Sequence, residues 1–191
     1  MTTSALGTYR RELSRAVETL DLDAIMAAAE LIYGVWERRR TVYTAGNGGS
    51  ASTASHLVCD LRKLTAVTTK PRLHALSLCD NVALITAISN DISYEDVFVE
   101  QATGGVGSGD VVVCISGSGN SENIVRLARY CKESSARTIG LIGFQGGELR
   151  RHVDVSVIVS SNNMQVIEDV HLSVGHMLAT VIRDRIQHSG K

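Results

Sequence analysis

Two stretches of the chain, DVVVCIS (110–116) and TIGLIGF (138–144), run almost without interruption through apolar, largely β-branched residues. A strand with one wet face alternates apolar and polar residues, whereas a strand without alternation is covered on both faces. Strands of this kind need helices above and below the sheet. Three further β-type runs, TVYTA (41–45), LHALSL (73–78) and VDVSVIVS (153–160), are separated by segments of helical periodicity. The alternation predicts an α/β fold: a five-stranded parallel sheet flanked by helices, doubly wound, with right-handed crossovers.

Helices frame this core at both ends. In LGTYRRELSRAVETL, Leu6, Tyr9, Leu13, Val17 and Leu20 recur at spacings of three and four, the stripe of an amphipathic helix. Asp21 then stands as an N-cap for LDAIMAAAELIYGVWERRR. That second helix is apolar almost all round and closes on Arg38, Arg39 and Arg40, cations at the negative end of its dipole. So apolar a helix needs cover on more than one side, and the pair over 1–40 is expected to pack in an oligomer. A long last helix is expected from about Met164 to His188. No repeat, linker or low-complexity segment divides the 191 residues, so one domain, 1–191, is expected, with its α/β core over 41–191.

Composition closes off several functions. A net charge of −1 and 4% aromatic residues argue against nucleic-acid binding, which uses basic faces and stacking platforms. No apolar run approaches the roughly 20 residues that cross a bilayer, so no membrane partner is expected. The opening MTTSALGTYRREL lacks an apolar core followed by a small-residue cleavage site. Cys59, Cys79, Cys114 and Cys131 lie in separate, mostly apolar segments without CxxC spacing, which predicts buried, reduced thiols and a cytoplasmic location.

In an open parallel sheet, ligands sit where strands end and loops lead into helices. Two such loops share one chemistry: GNGGS (46–50) after the first strand and SGSGNS (116–121) after DVVVCIS. Glycine lets backbone N–H groups approach an anion, and hydroxyls and helix N-termini add donors. Either loop alone is equally an ordinary strand-to-helix turn; together at one sheet edge they point to a phosphate site. Neither is a P-loop, since no Lys-Ser/Thr follows, and neither fits the dinucleotide fingerprint. On the helix after the glycine loop, His56 and Asp60 stand at i and i+4, on one face. Such a pair is a surface hydrogen bond in most settings and a metal or proton-transfer site in a few.

GNGGSASTASHLVCDL, SNDISYEDVF, ISGSGNSENIVRLA and IEDVHLSVGHML, in this order along the chain, resemble the sugar-isomerase (SIS) domain proteins. Within them the match is to the phosphoheptose isomerase, or sedoheptulose 7-phosphate isomerase, branch. The resemblance implies a homotetramer with sites near subunit interfaces, interconverting D-sedoheptulose 7-phosphate and D-glycero-D-manno-heptose 7-phosphate at the head of activated-heptose biosynthesis. It implies that Ser116, Gly117, Ser118 and Ser121 hold the phosphate, and that Asn47, Gly48, Gly49, Ser50, Asn90, Asp91 and Glu168 contact the substrate. It further implies a divalent metal, usually zinc, on His56, Asp60, Glu168 and His176.

Two of those four positions depart from the family, which has Glu where this chain has Asp60 and Gln where it has Glu168. By family position Asp60 is the base and His176 the acid, although an imidazole holding a metal is a poor proton donor. Glu168 is a second candidate base. Glu168 and His176, eight residues apart, are separated by about 12 Å of helical rise, so joint ligation needs convergent side chains. His171, one turn from Glu168, is a rival ligand. Asn90–Asp91 taken alone reads as a helix terminus; His74, His152 and His188 carry no signal. Other readings are an isomerase of a pentose or hexose phosphate and a non-catalytic SIS-domain sugar-phosphate sensor or adaptor; the two retained histidines favour an enzyme.

Overall fold

A computed structural model describes residues 2–190. Two helices lead, α1 (Thr2–Glu18) and α2 (Leu22–Arg38), and Asp21 caps α2 by accepting a hydrogen bond from the Ala24 N–H at 3.0 Å. The core follows as β1 (Thr41–Gly46), α3 (Gly49–Lys63), β2 (His74–Ser77), α4 (Val82–Asp91), α5 (Val97–Ala102) and β3 (Val111–Ser116). It continues with α6 (Glu122–Glu133), β4 (Arg137–Gly143), β5 (Val155–Val159) and α7 (Met164–His188). The five strands pair in parallel in the order β2-β1-β3-β4-β5, the expected architecture.

The apolar runs are covered on both faces, as their lack of alternation requires. Val113, Ile115, Ile139, Leu141, Val157 and Val159 pack with α2, α3 and α7 on one face. Val112, Cys114 and Ile142 pack with α5 and α6 on the other. The helices after β1 and β3 therefore leave the sheet on opposite faces, and β1 and β3 are neighbours, with Gly46 opposite Ile115. That is the topological switch point, where an open sheet parts into a crevice. The two glycine-rich loops end those two strands and so flank the crevice.

The cysteines only partly follow expectation. All four are free; Cys114 and Cys131 are buried, but Cys79 is half-buried and Cys59 is exposed on α3. Helix positions explain the difference. Leu57 and Leu61 face the sheet and are buried, which turns Cys59 outward. Burial pushes the Cys131 thiol up to about 12.

Candidate active site

The glycine loop turns because Gly48 adopts φ +56, a conformation L side chains avoid, and α3 starts at the next residue. Its neighbour Asn47 is held on three hydrogen bonds. Asn47 Nδ2 donates to Asn123 Oδ1 at 2.8 Å, Asn123 Nδ2 donates back to Asn47 Oδ1 at 3.0 Å, and Tyr94 Oη donates to Asn47 Oδ1 at 2.8 Å. Asn123 belongs to the first turn of α6, so this amide pair ties the glycine loop to the helix that the serine loop opens.

The serine loop is built from its own hydroxyls. Gly119 N–H donates to Ser116 Oγ at 3.1 Å, and the Ser116 and Ser121 hydroxyls lie 3.3 Å apart. Asn120 N–H donates to Ser118 Oγ at 3.1 Å. Gly119 has φ +68, and a Cβ there would run into the Gly146 carbonyl. Ser121 stands at the N-cap of α6 without its side chain accepting from a helix N–H, which leaves its hydroxyl turned to the loop beside Ser116. With the α6 N-terminus behind it, the loop offers hydroxyls and positive dipole to an anion.

His56, Asp60 and His176 come together. His56 Nε2 and His176 Nε2 are 3.1 Å apart, and Asp60 Oδ2 lies 3.4 and 3.5 Å from them. Asp60 is buried, and its Oδ2 makes no hydrogen bond, while both imidazoles are about half-exposed. A buried carboxylate oxygen without a donor is costly unless a cation meets it. Tetrahedral ligands about 2.0–2.1 Å from a zinc ion stand about 3.3 Å from one another, close to the three observed separations. The donor set and its orphaned oxygen fit a divalent cation with an open side.

Glu168 lies outside this cluster. Its carboxylate carbon and both oxygens come within 2.5 Å of where a Cβ on Gly49 would stand, so it occupies the space that Gly49 leaves at the start of α3. The positive end of a helix dipole favours a carboxylate there. His171 does not join the cluster either. It is wholly buried in the core face of α7, neither ring nitrogen makes a hydrogen bond of good geometry, and burial pushes its pKa down to about 4 against a smaller pull from the Ile142 carbonyl.

Of the expected site residues, the structure thus gathers His56, Asp60 and His176 in one place and Asn47, Gly48, Gly49 and Glu168 in a second, at the head of the same helix. Ser50 is buried in the first turn of α3. Ser116, Gly117, Ser118 and Ser121 form the neighbouring loop, where Gly117 packs against the Met164 sulfur. Asn90 and Asp91 end α4, are exposed, and bond to each other at 2.7 Å. Tyr94 and Asn123 went unnoticed in the sequence, because an uncharged Tyr and Asn have no spacing signature. Both lie inside the SNDISYEDVF and SGSGNSENI stretches.

Comparison with known proteins places this arrangement. The SIS domain family model matches residues 7–143. A Thermoplasma acidophilum protein named "Probable phosphoheptose isomerase" is 36% identical over 177 residues, 93% of this chain and 97% of that protein. The phosphoheptose isomerase of Sulfurimonas denitrificans is 31% identical, over 88% of this chain and 86% of its own. The solved structure of a phosphoheptose isomerase from Neisseria gonorrhoeae superposes with a TM-score of 0.89 at 27% identity, covering 96% of this chain and all of that one.

Proposed function

The chain belongs to the SIS-domain family and to its phosphoheptose isomerases, and from that premise we propose that it interconverts D-sedoheptulose 7-phosphate and D-glycero-D-manno-heptose 7-phosphate, the first step toward activated heptoses. The observation that carries the reading is the convergence on α3: Glu168 at its N-terminus and the His56–Asp60–His176 cluster in its following turns. The serine loop beside them takes the phosphate. The glycine loop takes the sugar, with Asn90 and Asp91 assigned to it by family position.

The isomerisation moves one proton between C1 and C2 through an enediol(ate), and it needs a base at carbon and proton transfer at oxygen. The geometry divides the two carboxylates. Asp60 faces two imidazole nitrogens and suits a cation. Glu168 stands apart at the glycine loop and suits the carbon-bound proton, which it removes from C1 of the ketose and returns at C2. The two oxygens exchange a proton in the same sense, from O1 to O2. Without metal, the 3.1 Å contact between His56 and His176 accommodates one proton between the two nitrogens, which His176 can pass to oxygen. Divalent metal on His56, Asp60 and His176, zinc by preference, supplies Lewis-acid polarisation of the sugar oxygens when bound, and the same nitrogen cannot then carry a proton.

A homotetramer completes the proposal. On α2 Leu22 is 65% and Met26 42% exposed, and in and beside α4 Val82 is 69% and Ile92 57% exposed. Apolar side chains spread over two helices in this way suit subunit contacts. No helix of the described residues is long and apolar enough to cross a membrane, and a cytoplasmic location is proposed with the activity. Incubation with sedoheptulose 7-phosphate tests the reading. Formation of aldoheptose 7-phosphate by the wild type, lost in Glu168→Gln and His176→Ala, supports it. Turnover of a pentose or hexose phosphate in its place overturns the substrate assignment, and full activity of Glu168→Gln returns the base role to Asp60.

A further inference from the structure

We propose that Tyr94 and Asn123 are positioning residues that fix which way the Asn47 amide faces the substrate, so that Asn47 offers the sugar a hydrogen-bond donor and no acceptor. This deepens the isomerase reading and rests on it.

A carboxamide has two N–H donors and one oxygen with two lone pairs. Both lone pairs of Asn47 Oδ1 are taken, one by Tyr94 Oη at 2.8 Å and one by Asn123 Nδ2 at 3.0 Å. One N–H is taken by Asn123 Oδ1 at 2.8 Å. A single capacity remains on this half-buried side chain, the second N–H. A sugar oxygen facing it must accept: a carbonyl, an enediolate oxygen, or a hydroxyl through its lone pair. A donor fixed in advance toward an oxygen that gains negative charge is worth most when that charge develops. Were the amide free to turn, half of its orientations would present an oxygen and repel the same atom.

The two partners are suited to hold it. Asn123 is only 3% exposed and sits in the first turn of α6, where the reciprocal amide pair resists rotation. Tyr94 reaches in from the short helical turn Tyr94–Asp96, which Ser93 caps. That turn is fastened in its own right: Asp96 binds Arg126 of α6 at 2.8 Å and accepts from Ser93 Oγ at 2.7 Å. The same contacts set the separation between the sugar loop and the α6 N-terminus, hence between the reacting carbons and the phosphate.

The variants Tyr94→Phe and Asn123→Asp test the assignment. Phe removes one donor to Oδ1 and little else. Asp at 123 accepts from Asn47 but cannot donate back, so one of its two contacts becomes repulsive. Four quantities are measured for each: kcat and KM for sedoheptulose 7-phosphate, Kd for inorganic phosphate, and Tm. The expected result is a fall in kcat of about 10-fold for Tyr94→Phe and more for Asn123→Asp, comparable to loss of part of an oriented donor. The Kd for phosphate stays within about 2-fold, since the serine loop is untouched, and the Tyr94→Phe Tm is unchanged. Asn47→Asp, which keeps the shape and loses the donor, should fall further than either. Wild-type kcat in Tyr94→Phe and Asn123→Asp, or equal weakening of phosphate and sugar phosphate, overturns the positioning role while leaving the isomerase reading in place. A wild type that does not turn over sedoheptulose 7-phosphate overturns the isomerase reading itself.

Discussion

The Gly49→Ala variant separates the chemistry of Glu168 from its contribution to stability. The added methyl would stand 2.5 Å from the Glu168 carboxylate. Ordinary contact is about 3.5 Å, so the carboxylate must retreat by about 1 Å. It is the free end of a flexible side chain and can do so, at a rotamer cost of about 0.5–1.5 kcal/mol. Gly49 is already helical, and exchanging Gly for Ala in a helix returns roughly 0.5–1 kcal/mol. The two effects nearly cancel, and Tm should move by no more than about 2–4 °C. Activity should not be spared. Moving a catalytic group by on the order of 1 Å costs roughly 10²-fold, about 2.7 kcal/mol of barrier. Initial rates of ketose turnover and a thermal melt on one preparation make the comparison. Gly119→Ala serves as the contrast, because its φ of +68 and the Gly146 backbone leave nothing free to move, and stability and phosphate binding should fall together. A Gly49→Ala protein with wild-type kcat/KM would refute the role given to Glu168.

Asp60→Asn should melt no lower than the wild type without metal, since it removes a buried charge whose Oδ2 has no donor, and it should lose most of the stabilisation zinc confers, about 2.7 kcal/mol at 100-fold excess over Kd; melts with and without zinc measure both. His171 has a folded pKa of about 4, below the unfolded value of about 6.5, so the unfolded chain binds a proton that the folded chain refuses. Stability is therefore complete above about pH 6.5 and should fall by about 2 kcal/mol between pH 7 and pH 5, in urea titrations, with His171→Leu flattening the slope. Sedimentation equilibrium should give four times the 20.5 kDa chain mass, and Val82→Asp with Ile92→Lys should lower it.

Much of the fold was legible because unbroken apolar runs leave few alternatives. DVVVCIS and TIGLIGF could only be inner strands, and β3 and β4 are the two most thoroughly buried. The glycine and serine loops were legible as a pair because both follow strands. What placed them side by side was the strand order, which no local pattern encodes. At the site, the i,i+4 spacing of His56 and Asp60 announced a shared face, yet the approach of His176 depends on how α7 crosses α3. Glu168 was expected among the metal ligands. Its actual place against Gly49 follows from a missing side chain 119 positions earlier, which is invisible until the helices are packed. The reciprocal amides of Asn47 and Asn123 were hidden for the same reason, since neutral polar pairs leave no charge or periodicity to read.

Proton transfer at carbon is the central claim, and NMR in deuterated water tests it most directly. Sedoheptulose 7-phosphate is incubated with the protein, metal-free and with added zinc, and the aldose product is inspected at C2. The account predicts aldoheptose 7-phosphate, with deuterium at C2 to the extent that the Glu168 carboxyl exchanges its proton with solvent before returning it, and with both product and label lost in Glu168→Gln. Sugar phosphate that binds, shown by saturation transfer, but neither turns over nor exchanges its C1 protons would contradict it and leave a sugar-phosphate sensor.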